Sequence, residues 1–311
     1  MHQIGILYST STDGFKFIFS GHYPKSIGSL DARVKLAYQN ENFTTNYFGL
    51  GNESDNSNAY SDKSYDHNRI FQQIYVGDIL LEKTLGESCI FYAGPKFEMR
   101  HIHAKSEGIL TDLFGSSNPI YQRSNFIGLQ AGLKFDHVDD EIFARKGIRF
   151  NLESQYLEGL SDVESNKISL TSSLITYYSL DHEQNIVFSN RLSTGFNFGQ
   201  KSLFYHLRQL GGQNGLRGFR NERFTGNSLL VYNADLRIQL FKSFIANSAI
   251  GIFTGFDVGR VWTNIGNSDK WHNSYGGGIW FKPFNISLMK LSYFKSVEED
   301  GRIYLGIGFD F

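Results

Sequence analysis

Apolar residues in this chain recur at every second position, the period of an extended strand and not the 3.6 of a helix. Ile168, Leu170, Leu174, Tyr178 and Leu180 share one face of a segment whose other face carries Ser169, Thr171, Ser173 and Ser179. Residues 146–156 repeat the pattern, with Ile148, Phe150, Leu152 and Tyr156 opposed to Arg149, Asn151, Glu153 and Gln155. Between 230 and 240, Leu230, Tyr232, Ala234, Leu236, Ile238 and Leu240 oppose Asn233, Asp235, Arg237 and Gln239. Carried along the chain, the alternation predicts about fourteen strands. They fall at 3–10, 14–24, 27–41, 68–83, 87–104, 123–138, 146–161, 166–181, 184–198, 227–241, 244–262, 271–283, 285–297 and 301–311.

Most of these segments are about 10–17 residues long, whereas strands of soluble proteins average nearer five or six. A tilted membrane-spanning strand takes about 9–11. A soluble sandwich would also turn its apolar faces inward and has little use for so many long polar ones. Short links near Lys25, Leu85, Asp181, Lys242 and Asn285 alternate with long ones at 42–67, 105–122, 199–226 and 263–270. Short turns at one rim and long loops at the other are expected of an outer-membrane barrel. The fold class expected is therefore all-β, a transmembrane antiparallel β-barrel filling 1–311 as one domain, with both termini at the short-turn rim. No domain boundary or low-complexity linker interrupts it.

Composition narrows the functional classes. Among 311 residues there are 28 Phe, 17 Tyr and 32 Gly but only 4 Pro, with a mean hydropathy of −0.30, which suits long two-faced strands. The net charge of −1 gives no reason to expect nucleic acid or a polybasic membrane surface. Cys89, alone, excludes an internal disulfide framework. No run approaches the roughly eighteen apolar residues of a membrane helix. The opening MHQIGILYSTS lacks the basic start and apolar core of a secretory signal, so an outer-membrane barrel is expected to be a piece of a longer polypeptide.

The stretch Arg208–Gly226, RQLGGQNGLRGFRNERFTG, shows neither strand nor helical period and is too long for a hairpin turn. A long loop between two clear strands is expected to have a task. Arg208, Arg217, Arg220 and Arg223 supply guanidinium forks that need carboxylate partners if the loop is buried. Asp235 and Asp257 fall on the polar faces of the two strands that follow, opposite Leu236, Ile250, Ile252 and Phe256. On a barrel that face is the lumen, where Arg217 could reach both acids. The bland alternative is a solvated loop above a polar pore.

Leu216-Arg217-Gly218-Phe219 resembles the (V/L)RG(F/Y) motif of the BamA/TamA-type outer-membrane assembly superfamily, also called bacterial surface antigens. The resemblance implies that this is the sixth extracellular loop, folded into the lumen, with Arg217 anchored by Asp235 and Asp257. Tyr304-x-Gly306-x-x-Phe309-x-Phe311 is similar to the C-terminal signal through which such barrels are recognised for insertion. Asp136–Gly147, DHVDDEIFARKG, looks like the family's periplasmic turn without its usual proline. Residues 47–53, YFGLGNE, resemble a loop of relatives whose barrel follows a calcineurin-like phosphoesterase domain. Five predicted strands follow the Arg217 loop and nine precede it, so two strands of the family's sixteen, and any periplasmic domain, are expected to be missing at the N-terminus.

What the resemblance implies is an integral protein of a Gram-negative outer membrane, surrounded by its lipid. It would insert or translocate client polypeptides with other assembly-machinery proteins, by a non-enzymatic route without cofactors. The rival is a passive pore or a membrane anchor for a fused enzyme domain, with Arg149, Glu153, Arg191 and Arg237 lining the channel. His101 and His103 share a face but lack a third ligand with metal-site spacing, and are read as a rim pair. Asp136, Asp139, Asp140 and Glu141 do not follow an EF-hand spacing and are read as a solvated turn. Gly276–Gly278 is read as a site of sheet bending or close packing. Tyr23, Tyr47, Tyr177, Tyr178, Trp262, Trp271 and Trp280, toward strand ends, suit interfacial girdles. No nucleophile, base and acid fall in a catalytic pattern.

Overall fold

The computed structural model describes residues 2–54, 66–160, 166–199, 203–243, 247–264, 266 and 268–308. The first strands are β1 (His2–Ser9), β2 (Gly14–Ile27) and β3 (Leu30–Gln39), followed by a two-residue pair, β4 (Thr45–Asn46) and β5 (Arg69–Ile70). Next come β6 (Gln72–Leu85), β7 (Cys89–Ile102), β8 (Ser124–Val138), β9 (Gly147–Gly159), β10 (Lys167–Ser179) and β11 (Ile186–Phe198). The arginine-rich loop holds β12 (Arg208–Leu210) and β13 (Phe224–Gly226). After it run β14 (Ser228–Ser243), β15 (Ser248–Trp262), β16 (His272–Lys282), β17 (Met289–Ser296) and β18 (Arg302–Ile307).

Fourteen of these form one sheet in which sequence neighbours pair antiparallel, from β1 through β3, β6–β11 and β14–β18. Among the described residues no ladder joins β18 back to β1. No helix is long and apolar enough to cross a membrane among the described residues. The chain is a transmembrane antiparallel β-barrel whose polarity is inverted relative to a soluble protein. Leu305 is 83% exposed and Ile4, Ile6, Ile79 and Leu129 are also outside, while Asp257 is 0% exposed and Asn233, Asp235 and Arg237 are buried. Alternation puts the apolar side chains of each strand where lipid lies and the polar ones in the lumen.

The expected strand count holds, and the differences have local causes. The link expected at Lys25 is a register shift inside the β2–β3 ladder, between Tyr23 and Ile27. Lys25 takes φ 51°, its N–H donates to Asp31, and the chain turns at Gly28, φ 60°. Within the loop that shows no strand period, β12 pairs β13 through Arg208↔Gly226, Gln209↔Thr225 and Leu210↔Phe224. In the turn read as solvated, Asp136, Asp139 and Glu141 are exposed, but Phe143 and Ala144 are buried. Asp139 accepts the N–H groups of Arg145 and Lys146, Asp140 those of Ile142 and Phe143, and the bent turn drives Phe143 into the barrel. There Phe143, 2% exposed, packs with Ala249, Phe253, Trp280, Leu288 and Phe294.

Trp280 is thus a lumenal floor residue and not part of a girdle, and Tyr47 and Tyr177 are buried as well. Tyr23, Tyr178, Trp262 and Trp271 are on the exposed face. At the long-loop rim a cluster of Tyr47, Ile70, Ile102, Leu110 and Phe204 caps the opening, with α1 (Ile109–Phe114) folded over it.

Candidate functional site

The arginine-rich loop leaves β11, makes a buried turn at Phe204–His206, and descends through β12 into the lumen. Leu210, Leu216, Phe219 and Phe224 bury themselves against Val231 and Val261, inward residues of β14 and β15. This apolar seat fixes the loop's height, and the left-handed Gly218, φ 86°, turns the chain where the backbone of Lys295 leaves no room for a β-carbon. Arg217 is thereby held over the inner faces of β14 and β15.

The register Asn233↔Asp257 and Asp235↔Gly255 places two carboxylates beside it on adjacent strands. Arg217 Nε donates to Asp257 Oδ2 at 2.9 Å and Nη2 to Asp257 Oδ1 at 2.6 Å, while Nη2 also reaches Asp235 Oδ1 at 2.8 Å. The backbone N–H of Arg217 donates to Asp257 Oδ2 at 2.9 Å. Position 255 has no room for a side chain, because a β-carbon there would meet Asp235 and the guanidinium. The amide of Asn233 donates to Asp257 at 2.7 Å and to the Gly215 carbonyl at 2.6 Å, and its oxygen accepts from Arg191. Phe294 lies face-on to the guanidinium at 4.0 Å.

Burial alone would lower the Arg217 pKa, but Asp235 and Asp257 outweigh it and raise it. A guanidinium fork shared by two carboxylates, each with further donors, is the arrangement in which buried charges are tolerated. It offers no nucleophile; what it can do is hold a loop.

Of the other residues singled out from the sequence, Tyr304 comes to this loop. Its hydroxyl accepts the Gly218 N–H at 2.9 Å. Phe219 is fully buried and Gly306 lies beside Lys290 on β17, away from the arginine. Phe309 and Phe311 lie outside the described residues. Of the residues expected to line a channel, Arg237 reaches toward the carbonyl of Ala144 in the inward-folded turn, and Glu153 accepts the Tyr92 hydroxyl along the wall, across Gly132 of β8.

A second clamp escaped the sequence. Arg223 Nε donates to Glu299 Oε1 at 2.7 Å, its Nη groups reach Ser54, and Glu299 also accepts the Arg220 N–H. Asn52 both donates to and accepts from the backbone of Val261 on β15, at 2.8 and 3.0 Å, and the Gly51 N–H donates to the Thr225 carbonyl of β13 at 2.8 Å, so segment 47–53 closes over the loop. The available signal was an arginine without an assigned carboxylate; Glu299 and Asn52 stand in loops with no period to rank them. His101 and His103 have ring centroids 4.5 Å apart, and among the described residues no three potential metal ligands cluster.

A family model described as the Omp85 superfamily domain matches residues 26–311. The chain belongs to the Omp85 superfamily. Its barrel is similar to the structure of BamA from Haemophilus ducreyi lacking POTRA domains 1–3, with a TM-score of 0.68 and 17% identity over 98% of this chain. It is also similar to CdiB from Acinetobacter baumannii and CdiB from Escherichia coli, each at a TM-score of 0.59, with 11% and 12% identity over 98% and 96% of this chain. This Omp85 barrel spans 63%, 52% and 54% of those three chains respectively. No curated protein sequence matches it.

Proposed function

We propose that this Omp85 barrel works in the insertion or translocation of polypeptides at the outer membrane, with Arg217 latching the lumenal loop to Asp235 and Asp257. The observation that carries the reading is that one guanidinium bonds carboxylates on two adjacent wall strands from inside the lumen. A passive pore needs an open channel. Here Leu210, Leu216, Phe219 and Phe224 occupy the lumen from one end and Phe143 from the other. On this reading the partners are outer-membrane lipid, unfolded client chains and other assembly proteins. The segment carrying Tyr304, Gly306, Phe309 and Phe311 serves the barrel's own insertion.

The test is reconstitution into vesicles and planar bilayers. The expected result is faster folding of an added, unfolded outer-membrane barrel protein, with small, gated conductance. A large steady conductance without any acceleration would point to a pore instead.

A further inference from the structure

Arg260 belongs to neither the latch nor the clamp. By alternation it stands on the same face of β15 as Ile250, Ile252, Phe256 and Trp262, the face turned to lipid, at the long-loop rim. Its guanidinium lies between two indoles, 4.7 Å from Trp262 and 5.4 Å from Trp271, which cross at 88°. Arg260 is 9% exposed; one nitrogen donates to the Ser268 carbonyl, and Nε is buried without a partner. Arg217 and Arg223 each bond carboxylates, but no ion pair to Arg260 exists among the described residues. Beside it opens a cavity of about 440 Å³ lined by Leu50, Glu53, Trp262, Ser268 and Asp269 among others.

A desolvated guanidinium without a counter-charge is costly, and two aromatic faces offset only part of that. An anionic oxygen at Nε completes the site with a charge-assisted bond. The flat face of Trp262 suits a sugar ring, and the carboxylates of Glu53 and Asp269 can accept hydroxyls. Directly below, Phe256, Ile252 and Ile250 are exposed along the same strand, where acyl chains run. We propose that this rim pocket binds the phosphorylated sugar headgroup of an outer-leaflet glycolipid, with the phosphate on Arg260 and the sugar on Trp262. The proposal rests on the barrel crossing an outer membrane with its long-loop rim outermost.

The chain has 3 Trp, two of them at this site and the third, Trp280, buried in the lumen, so emission reports on the pocket. The folded barrel in detergent micelles is titrated with a phosphorylated glucosamine glycolipid, with phosphatidylglycerol, and with glucosamine 1-phosphate. The expected result is a saturable shift with the glycolipid alone, and a half-saturation raised about tenfold in Arg260→Gln, the loss of one bond to a charged group. Trp262→Leu serves as a second variant should Arg260→Gln lose its heat-resistant folded form on gels.

No shift, or the same curve in the variants, overturns the site. An equal response to phosphatidylglycerol overturns the sugar, and equally tight glucosamine 1-phosphate overturns the lipid source. A chain that stays monodisperse without detergent fails the membrane reading itself, separately from any of these results.

Discussion

At the long-loop end of the lumen the apolar seat of Leu210, Leu216, Phe219 and Phe224 is locked by charge: Arg217 against Asp235 and Asp257, with Asn233 and Arg191 behind them. At the short-turn end it is held by apolar packing, where Phe143 meets Trp280 at 4.6 Å among Leu288, Phe253 and Phe294. The first contact is directional, and losing one partner strands the others as buried, uncompensated charge. The second depends on volume and contact, and tolerates a substitute of similar size. The two meet at Phe294, which belongs to the floor cluster and also faces the Arg217 guanidinium. Glycines on the inner faces make the space for this column: Gly251 under Trp280, Gly255 under Arg217 and Gly276 under Phe294. A lumen closed by unlike chemistries at its two ends can be opened at one end without first dissolving the other.

The sharpest way to break the comparison is at the charged end. Arg217→Ala is expected to destabilise the folded barrel by about 3–5 kcal/mol, the range for removing one member of a buried ion pair. The midpoint of heat modification on gels reads this out. Asp235→Asn added to Arg217→Ala should recover part of the loss, because one stranded charge is removed; Arg217→Lys should recover little, since an ammonium cannot fork onto both acids. Phe143→Ala comes next, at about 3 kcal/mol by the same measurement. Here Phe143→Leu should restore most of the stability, and protease sensitivity of residues 208–226 should stay low, marking the floor as separable from the latch.

Smaller effects sharpen the picture further. Tyr304→Phe removes the acceptor of the Gly218 N–H and should cost about 1 kcal/mol, the ordinary worth of one hydrogen bond. In the cap, burial lowers the His206 pKa from 6.5 to about 4, against the opposing pull of Glu98. Above 6.5 His206 is neutral whether the cap is closed or open. As pH falls from 6.5 to 4, the open form takes up a proton that the closed form refuses, so the cap loosens. Glu298 behaves differently in its window. Burial raises its pKa, but bonds from His272 and Lys270 outweigh this and hold it at about 2. Its contribution is full above 4.5 and is lost as pH falls toward 2. Protease cleavage of the long loops followed against pH should therefore rise in two steps, and His206→Gln should remove the upper one.

The wall could be read from the chain because a strand in a membrane has to alternate: Leu230 through Leu240 and Ile250 through Phe256 carry their orientation in their own period. The placement of Asp235 and Asp257 on one inner face followed from the same period, and their pairing with Arg217 needed the LRGF motif beside it. The loops were less accessible. Glu299 meets Arg223, and Asn52 meets Val261, across 76 and 209 residues, with no period to announce either. The depth of Phe143 was not legible because its turn is acidic: Asp139 and Asp140 accept backbone N–H groups on either side of it, and the bent turn carries this apolar residue into the barrel. Trp280 was misplaced by a general rule about girdles, although its even spacing from Ser274 already put it on the inward face.

The most direct test is the reactivity of a thiol placed inside the loop. In a Cys89→Ser background, Phe219→Cys in reconstituted vesicles is exposed to a charged, membrane-impermeant maleimide, with and without Arg217→Ala. Phe219 is fully buried beneath the latch, so labelling is expected to be slow with Arg217 present and at least about tenfold faster once the guanidinium is gone, the rate change that about 1.4 kcal/mol of opening free energy produces. Equally fast labelling in both proteins would mean that the loop stands open in the folded barrel and that Arg217 holds nothing in place.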